Sequence, residues 1–311
     1  MRFFDAHTHI HFPIYDNDRE EVIKRAREAG VKMLCVGTQA ASSQAAVDLA
    51  KKHPGEIWAA VGFHPNHLRA PDAPVGAGWY HDKSEQKEAK REEFNALNLL
   101  KIAKQPEVVA IGECGLDYYR LTNDERLMKP TPGVGSPTDS VGANDKKAQQ
   151  DAFVAQIEIA KQVKKPLMLH LRPSYAKASE GRPSASTDDA YEDALKILLA
   201  SGYTLNPISH FFVGSLAIAK KMLAAGFTFT FGGVITFARD YDEVIKYLPI
   251  ENILLETDAP YVAPAPYRGK RNEPAYISAT AAKVAELKGF SVEEVAEKTF
   301  TNALRIFNIQ V

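Results

Sequence analysis

The strongest constraint on the fold is a rhythm. Short apolar runs rich in β-branched residues alternate, along the whole chain, with segments of helical period. Parallel βα units require that alternation, because each buried strand is covered by the helix that carries the chain back. Strands are expected near Arg2–Thr8, Val31–Val36, Ile57–Val61, Val108–Gly112, Pro166–His170, Leu205–His210, Phe227–Phe231 and Asn252–Glu256. Helices fit between and after them at Asp18–Ala29, Ser42–Lys52, Gln86–Lys104, Lys146–Lys164, Asp189–Leu199, Ser215–Ala225, Asp240–Tyr247 and Ala275–Leu287. About eight such units close a TIM barrel. The expectation is therefore an α/β fold, a (β/α)8 barrel in one domain over residues 1–311, with an extra C-terminal helix at Val292–Phe307.

The long irregular stretches Pro65–Ser84, Leu121–Asp145, Pro173–Asp188 and Ala259–Pro274 each follow a strand and precede a helix, and Leu68–Ser84, Leu121–Asp145 and Pro173–Asp188 are three long loops among them. In a barrel such connections gather at the carboxyl ends of the strands, where active sites are found. A 45% hydrophobic and 25% charged composition is that of a globular protein. A formal net charge of -1 argues against coating long nucleic acid through a general positive field. The two cysteines, Cys35 and Cys114, imply no disulfide framework and suit a reducing compartment. Charge appears at once in Met1–Asp5, and no apolar run is long enough for a bilayer. A cytoplasmic protein is expected, with neither membrane association nor an obligate protein partner.

Chemistry-bearing side chains end several of these strands. His7 and His9 are one residue apart at the end of the first, so their side chains share a face. Polar groups facing a barrel interior are costly unless paired or bound to metal. Glu113 follows the fourth strand, His170 ends the fifth, His210 the sixth, and Asp258 follows the eighth. One histidine after a strand is ordinarily a satisfied loop residue, but a set distributed over five strands converges on one axial point if the barrel closes. Glu113 can bridge two divalent ions, and the site would then ionise a water at neutral pH. Asp258 is a candidate both for metal binding and for taking that proton. Glu256 is expected to orient a ligand histidine from outside. His64, after the third strand, is expected in a supporting or substrate-contacting position. Mixed imidazole and carboxylate ligands suit Mg2+, Mn2+ or Zn2+, in a site for two or three ions.

At these residues the chain resembles the TatD family of metal-dependent deoxyribonucleases, members of the amidohydrolase superfamily. The matching segments are Phe4–His9, Val61–Pro65, Gly112–Tyr118, His170 with Arg172, His210 with Phe212, Gly214 and Ser215, Glu256–Tyr261 and Arg271–Pro274. The resemblance implies a TIM barrel with metal ligands at His7, His9, Glu113, His170, His210 and Asp258. It also implies divalent-cation-dependent cleavage of DNA phosphodiesters, often from a 3′ end. Three positions depart from the family pattern: Asn66 stands where a histidine is usual, Leu171 where a small residue is, and Phe211 where a cysteine is.

The loops of the expected active face carry arginines and tyrosines, which offer bidentate phosphate contacts and platforms for unstacked bases. Tyr118, Arg120, Arg172 and Arg271 are the substrate-contact candidates among them, beside His64. The partner they suit is a short single-stranded DNA end. The competing reading keeps the barrel and changes the bond, to an amide or ester of a small molecule or of an aminoacyl-tRNA. Many such relatives bridge their metals with a modified lysine, whereas Lys164 and Lys165 precede the fifth strand at the wrong end.

Overall fold

The computed structural model describes residues 1–68, 83–85, 92–119, 139–174 and 187–310, with the side chains of 139–144 outside that set. Its eight parallel strands lie side by side in chain order: β1 (Phe3–Thr8), β2 (Val31–Val36), β3 (Ile57–Val61), β4 (Val108–Asp117), β5 (Leu167–Arg172), β6 (Ile208–His210), β7 (Thr228–Phe231) and β8 (Ile253–Leu255). The helices are α1 (Arg19–Glu28), α2 (Ala40–Lys52), α3 (Ala96–Ala103), α4 (Asp139–Val163), α5 (Asp189–Ala200), α6 (Leu216–Ala224), α7 (Asp242–Tyr247), α8 (Ile277–Lys288) and α9 (Val292–Ile306). This is the (β/α)8 barrel that the rhythm predicts. Among the described residues, no helix is long and apolar enough to cross a membrane.

Strands β1 to β8 are joined by seven parallel ladders. The seam between β8 and β1 is closed differently. Asp258 N donates to His7 O at 2.9 Å and His9 N donates to Ala259 O at 2.8 Å. Below them the buried Asp5 carboxylate accepts from Thr257 N at 2.9 Å and Thr257 Oγ1 at 2.5 Å. A side chain thus replaces part of a backbone ladder, satisfying groups that burial would otherwise penalise.

The strands alternate between two apolar environments, as a period of two requires. Phe3, Val31, Met33, Cys35, Ile57 and Ala59 belong to the cluster shared with the surrounding helices. Phe4, Ala6, Leu34, Val36, Ala60 and Met168 belong to a second cluster, completed by Phe300, Ala303, Ile306 and Phe307 of α9 and its end. The extra helix therefore packs on the strands' inner residues. Phe4 stacks on Trp58 and on Phe307, each at 5.7 Å. Removing either nearly buried phenylalanine of α9 and its end from water contributes about 1.5–3 kcal/mol. A capping box starts this helix, with Ser291 Oγ accepting from Glu294 N and Glu294 accepting from Ser291 N.

Strand β4 continues past Gly112 to Asp117, beyond the expected end. Two glycines permit it. A Cβ on Gly112 (φ +152°) would fall 2.3 Å from Met168 O, and one on Gly115 (φ +134°) 2.3 Å from His170 O. The strand thus approaches β5 more closely than any side chain allows, and its register slips between Ile111 and Cys114. Other boundaries also move. Helix α4 begins at Asp139 rather than Lys146, while α3 begins at Ala96, where Asn95 caps it by accepting from Asn98 N at 2.9 Å. Residues 86–91 of the expected third helix lie outside the described residues.

Candidate metal centre

Register irregularities aim the two central side chains of the cluster. Glu113 lies within the slip in β4, and His7 lies within a similar slip of β1 between Asp5 and Thr8. Bulges of this kind bend a strand and redirect its side chains. Glu113 Oε2 stands 3.4 Å from His7 Nε2 and 3.9 Å from His9 Nε2. Glu113 Oε1 stands 2.9 Å from His170 Nδ1, 3.4 Å from His64 Nε2 and 3.7 Å from His210 Nε2. One carboxylate therefore faces two groups of imidazoles. Asp258 Oδ1 completes the first group, 3.4 Å from His9 Nε2 and 3.8 Å from His7 Nε2. Three triads lie close enough to hold an ion: His7 with His9 and Asp258, His7 with Glu113 and His210, and His64 with Glu113 and His170.

Neighbours fix which ring nitrogens are free to bind. His9 Nδ1 is 2.7 Å from Val36 O, so it donates there and leaves the Nε2 lone pair facing the centre. His210 Nδ1 is 2.8 Å from Glu256 Oε2, with the same result. Glu256 is buried and also accepts from Phe211 N at 3.0 Å and from Thr230 Oγ1. His64 is the opposite case. Its Nδ1 accepts from Asn66 N at 3.0 Å, which puts the hydrogen on Nε2 and makes that atom a donor toward Glu113. Proximity groups His64 with the candidate ligands, but the tautomer gives it the chemistry of a donor.

The electrostatics call for positive charge. Burial would raise the Glu113 and Asp258 carboxyls, yet the surrounding histidines hold both below their ordinary values. Burial would lower His9, His170 and His210, but facing carboxylates raise all three, His210 to about 10. Burial and the charge of His210 lower His7. Burial, with the charge of His170, brings His64 down to about 4. Protons thus gather around buried carboxylates where ions would sit, and His7 Nε2 and His9 Nε2 approach to 3.1 Å. Donor types, free lone pairs and charge all fit divalent ions.

A cavity of about 820 Å3 opens over this centre, lined by His9, His64, Glu113, His170, His210 and Asp258. Arg172 lines it too, its guanidinium 4.0 Å over the Tyr119 ring, which also faces the cavity. Two other expected contacts are engaged away from it. Tyr118 is fully buried, its hydroxyl bonded to Asp193 at 3.1 Å and to Gln150 at 2.9 Å. Arg271 forms a two-pronged pair with Asp18 at 3.0 and 2.5 Å, donates to Ile14 O and lies over Tyr15. Arg120 falls outside the described residues, as does most of the three long loops. Lys165 Nζ donates to Ala103 O at 2.6 Å and to Gln105 O at 3.4 Å, below the centre.

One contributor escapes the sequence reading. Asp117 is buried, and its Oδ2 lies 3.2 Å from His170 Nε2. Against the effect of burial, the bond to His170 brings this carboxyl down to about 2. The even spacing of residues 113, 115 and 117 is the signal that would have found it, since alternate strand residues share a face.

Fold and site together define a metal-dependent hydrolase built on a (β/α)8 barrel. The chain belongs to the TatD related DNase family, whose model matches residues 4–308. It is 34% identical over 310 residues to the uncharacterized metal-dependent hydrolase YabD of Bacillus subtilis, covering 98% of this chain and 99% of that protein. It is 31% identical over 315 residues to the 3′-5′ ssDNA/RNA exonuclease TatD of Erwinia tasmaniensis, covering 98% and 100%. Among solved structures, YjjV, a TatD homologue of Escherichia coli K12, superposes with a TM-score of 0.72 at 26% identity, covering 99% of each chain.

Proposed function

We propose that this chain, acting as one barrel unit in the cytoplasm, hydrolyses phosphodiester bonds at the 3′ ends of single-stranded DNA. Its ligands would be His7, His9, Glu113, His170, His210 and Asp258, holding two divalent ions, with Mg2+, Mn2+ and Zn2+ all suited to the donor set. The observation that carries this reading is the division of Glu113, one oxygen toward His7 and the other toward His170. The family and the relatives named as exonucleases support the polymer and the polarity.

Divalent ions held by these residues would supply a water that ionises near neutral pH and positive charge facing the phosphoryl oxygens. Asp258 is the more open of the two carboxylates, its side chain 16% exposed against 4% for Glu113. Kept ionised by its histidines, it accepts the proton of the attacking water. Glu113 holds the two halves of the site together. His64, with its only ring hydrogen on Nε2, turns it from Glu113 to a phosphate oxygen when substrate binds, and Arg172 pairs with the phosphate from the cavity wall. Glu256 and Asp117 keep His210 and His170 oriented.

The decisive experiment strips the purified protein with chelator and restores Mg2+, Mn2+ or Zn2+ singly. Substrates are end-labelled single-stranded DNA, an aminoacyl-tRNA and a panel of small esters. Ion-dependent shortening from the 3′ end is the expected result. Intact DNA alongside turnover of the esters would overturn the reading.

A further inference from the structure

Unusual backbone gathers at the cavity. Of the non-glycine residues with positive φ among those described, Phe211 (+44°), Asp258 (+53°) and Val262 (+44°) all line it. For Asp258 the distortion aims a ligand. For phenylalanine and a β-branched valine the left-handed region is costly, and neither side chain can hydrogen-bond locally in return. Such positions persist only where their surroundings over-determine them.

Both are pinned. Phe211 N donates to Thr230 Oγ1 at 2.9 Å and to Glu256 Oε1 at 3.0 Å, so the carboxylate that orients His210 also fixes the backbone beside it. The turn at Val262 is held by Tyr261 N donating to Asp258 O at 2.8 Å. Asn272 Nδ2, fully buried, braces the same turn through Thr257 O and Tyr261 O, both at 2.7 Å. Neither Phe211 nor Val262 belongs to an apolar core cluster. Phe211 is half-buried with its ring centroid 5.9 Å from that of His210, and Val262 is 38% exposed. Packing therefore does not account for these two side chains. What they share is apolar surface presented to a cavity whose floor is polar.

We propose that Phe211 and Val262 form the seat of the terminal nucleobase, a role that rests on the nuclease reading given above. An aromatic ring accepts the flat face of any base, and a valine adds apolar contact without hydrogen-bond demands. Seating the base there brings the adjoining phosphodiester to Glu113 and Asp258, while Arg172 meets the phosphate charge.

The test uses two single-stranded oligonucleotides, identical except that one ends 3′ in adenine and the other in an abasic residue. Cleavage is measured for the wild type, Phe211→Gly and Val262→Gly. Glycine adopts positive φ without steric cost, and thermal midpoints check that both variants fold. The wild type is expected to favour the adenine end in kcat/KM by roughly fivefold to hundredfold, the scale of one base–aromatic stack. In Phe211→Gly that ratio falls toward one, through KM rather than kcat. Equal cleavage of both ends by the wild type overturns the proposal, as does a ratio preserved in both variants. If the wild type cuts neither strand, the nuclease reading fails by itself. The seat is then judged by Kd under chelator, where tighter binding of the adenine end supports it and equal binding overturns it.

Discussion

Glu256 Oε2 lies 2.8 Å from His210 Nδ1, and both side chains are buried. That bond selects the tautomer whose Nε2 lone pair faces the centre. Glu256→Gln keeps the shape and loses the charge, so metal affinity is expected to fall about 10- to 100-fold with the fold intact. A competitive metal titration measures this, and an unchanged affinity would remove Glu256 from the site.

Glu113→Gln should bring metal-dependent turnover down to background. The amide leaves one oxygen where two divided the histidines between them. Turnover at the wild-type level would end the two-ion reading.

Acidity tests the same centre from another side. His210 is raised to about 10, and His9 and His170 are raised above the ordinary 6.5. A histidine raised by folding stabilises the metal-free protein fully below its unfolded value and loses that contribution as pH climbs through the folded one. The metal-free protein should therefore lose stability between about pH 6.5 and 10. Ions displace these protons, so metal binding should tighten over the same window and release protons. Titration calorimetry in buffers of different ionisation heat reads the release directly. A binding enthalpy independent of buffer would contradict it.

Arg172→Ala should raise KM for single-stranded DNA. It should also make the salt dependence of binding shallower by about 0.7 in log–log slope, the share of one phosphate contact on a single strand. An unaltered slope would assign Arg172 to packing on Tyr119 alone.

Asp5→Ala opens the seam without touching a ligand side chain. It leaves Thr257 N and Oγ1 without their acceptor, a loss of about 1–3 kcal/mol that thermal or denaturant unfolding would report. An unchanged midpoint would mean that the backbone bonds alone close the barrel.

The strands and the cluster of imidazoles and carboxylates at their ends were legible because both follow a local rule: period two for the one, polar residues where a lining should be apolar for the other. Asp117 was missed because Gly112 reads as a stop, whereas in space Gly112 and Gly115 let β4 run on against β5. Tyr118 and Arg271 resemble substrate contacts by type and by loop position. Nothing local reveals that Asp193, Gln150 and Asp18 stand beside them, since those partners lie far along the chain. Glu256 meets His210 Nδ1, Phe211 N and Thr230 Oγ1, partners on or beside other strands that its own segment does not reveal. Phe211 gave no local sign of its left-handed backbone, which comes from Thr230 and Glu256.

The seam that joins β8 to β1 also divides the candidate metal centre, with His7 and His9 on one lip and Asp258 on the other. During synthesis the first lip leaves the ribosome long before the second. A nascent polypeptide cannot bring Asp258 to His7 and His9 until residue 258 has emerged, whereas the triads around Glu113 need nothing beyond His210, so the two halves of the cluster assemble in sequence.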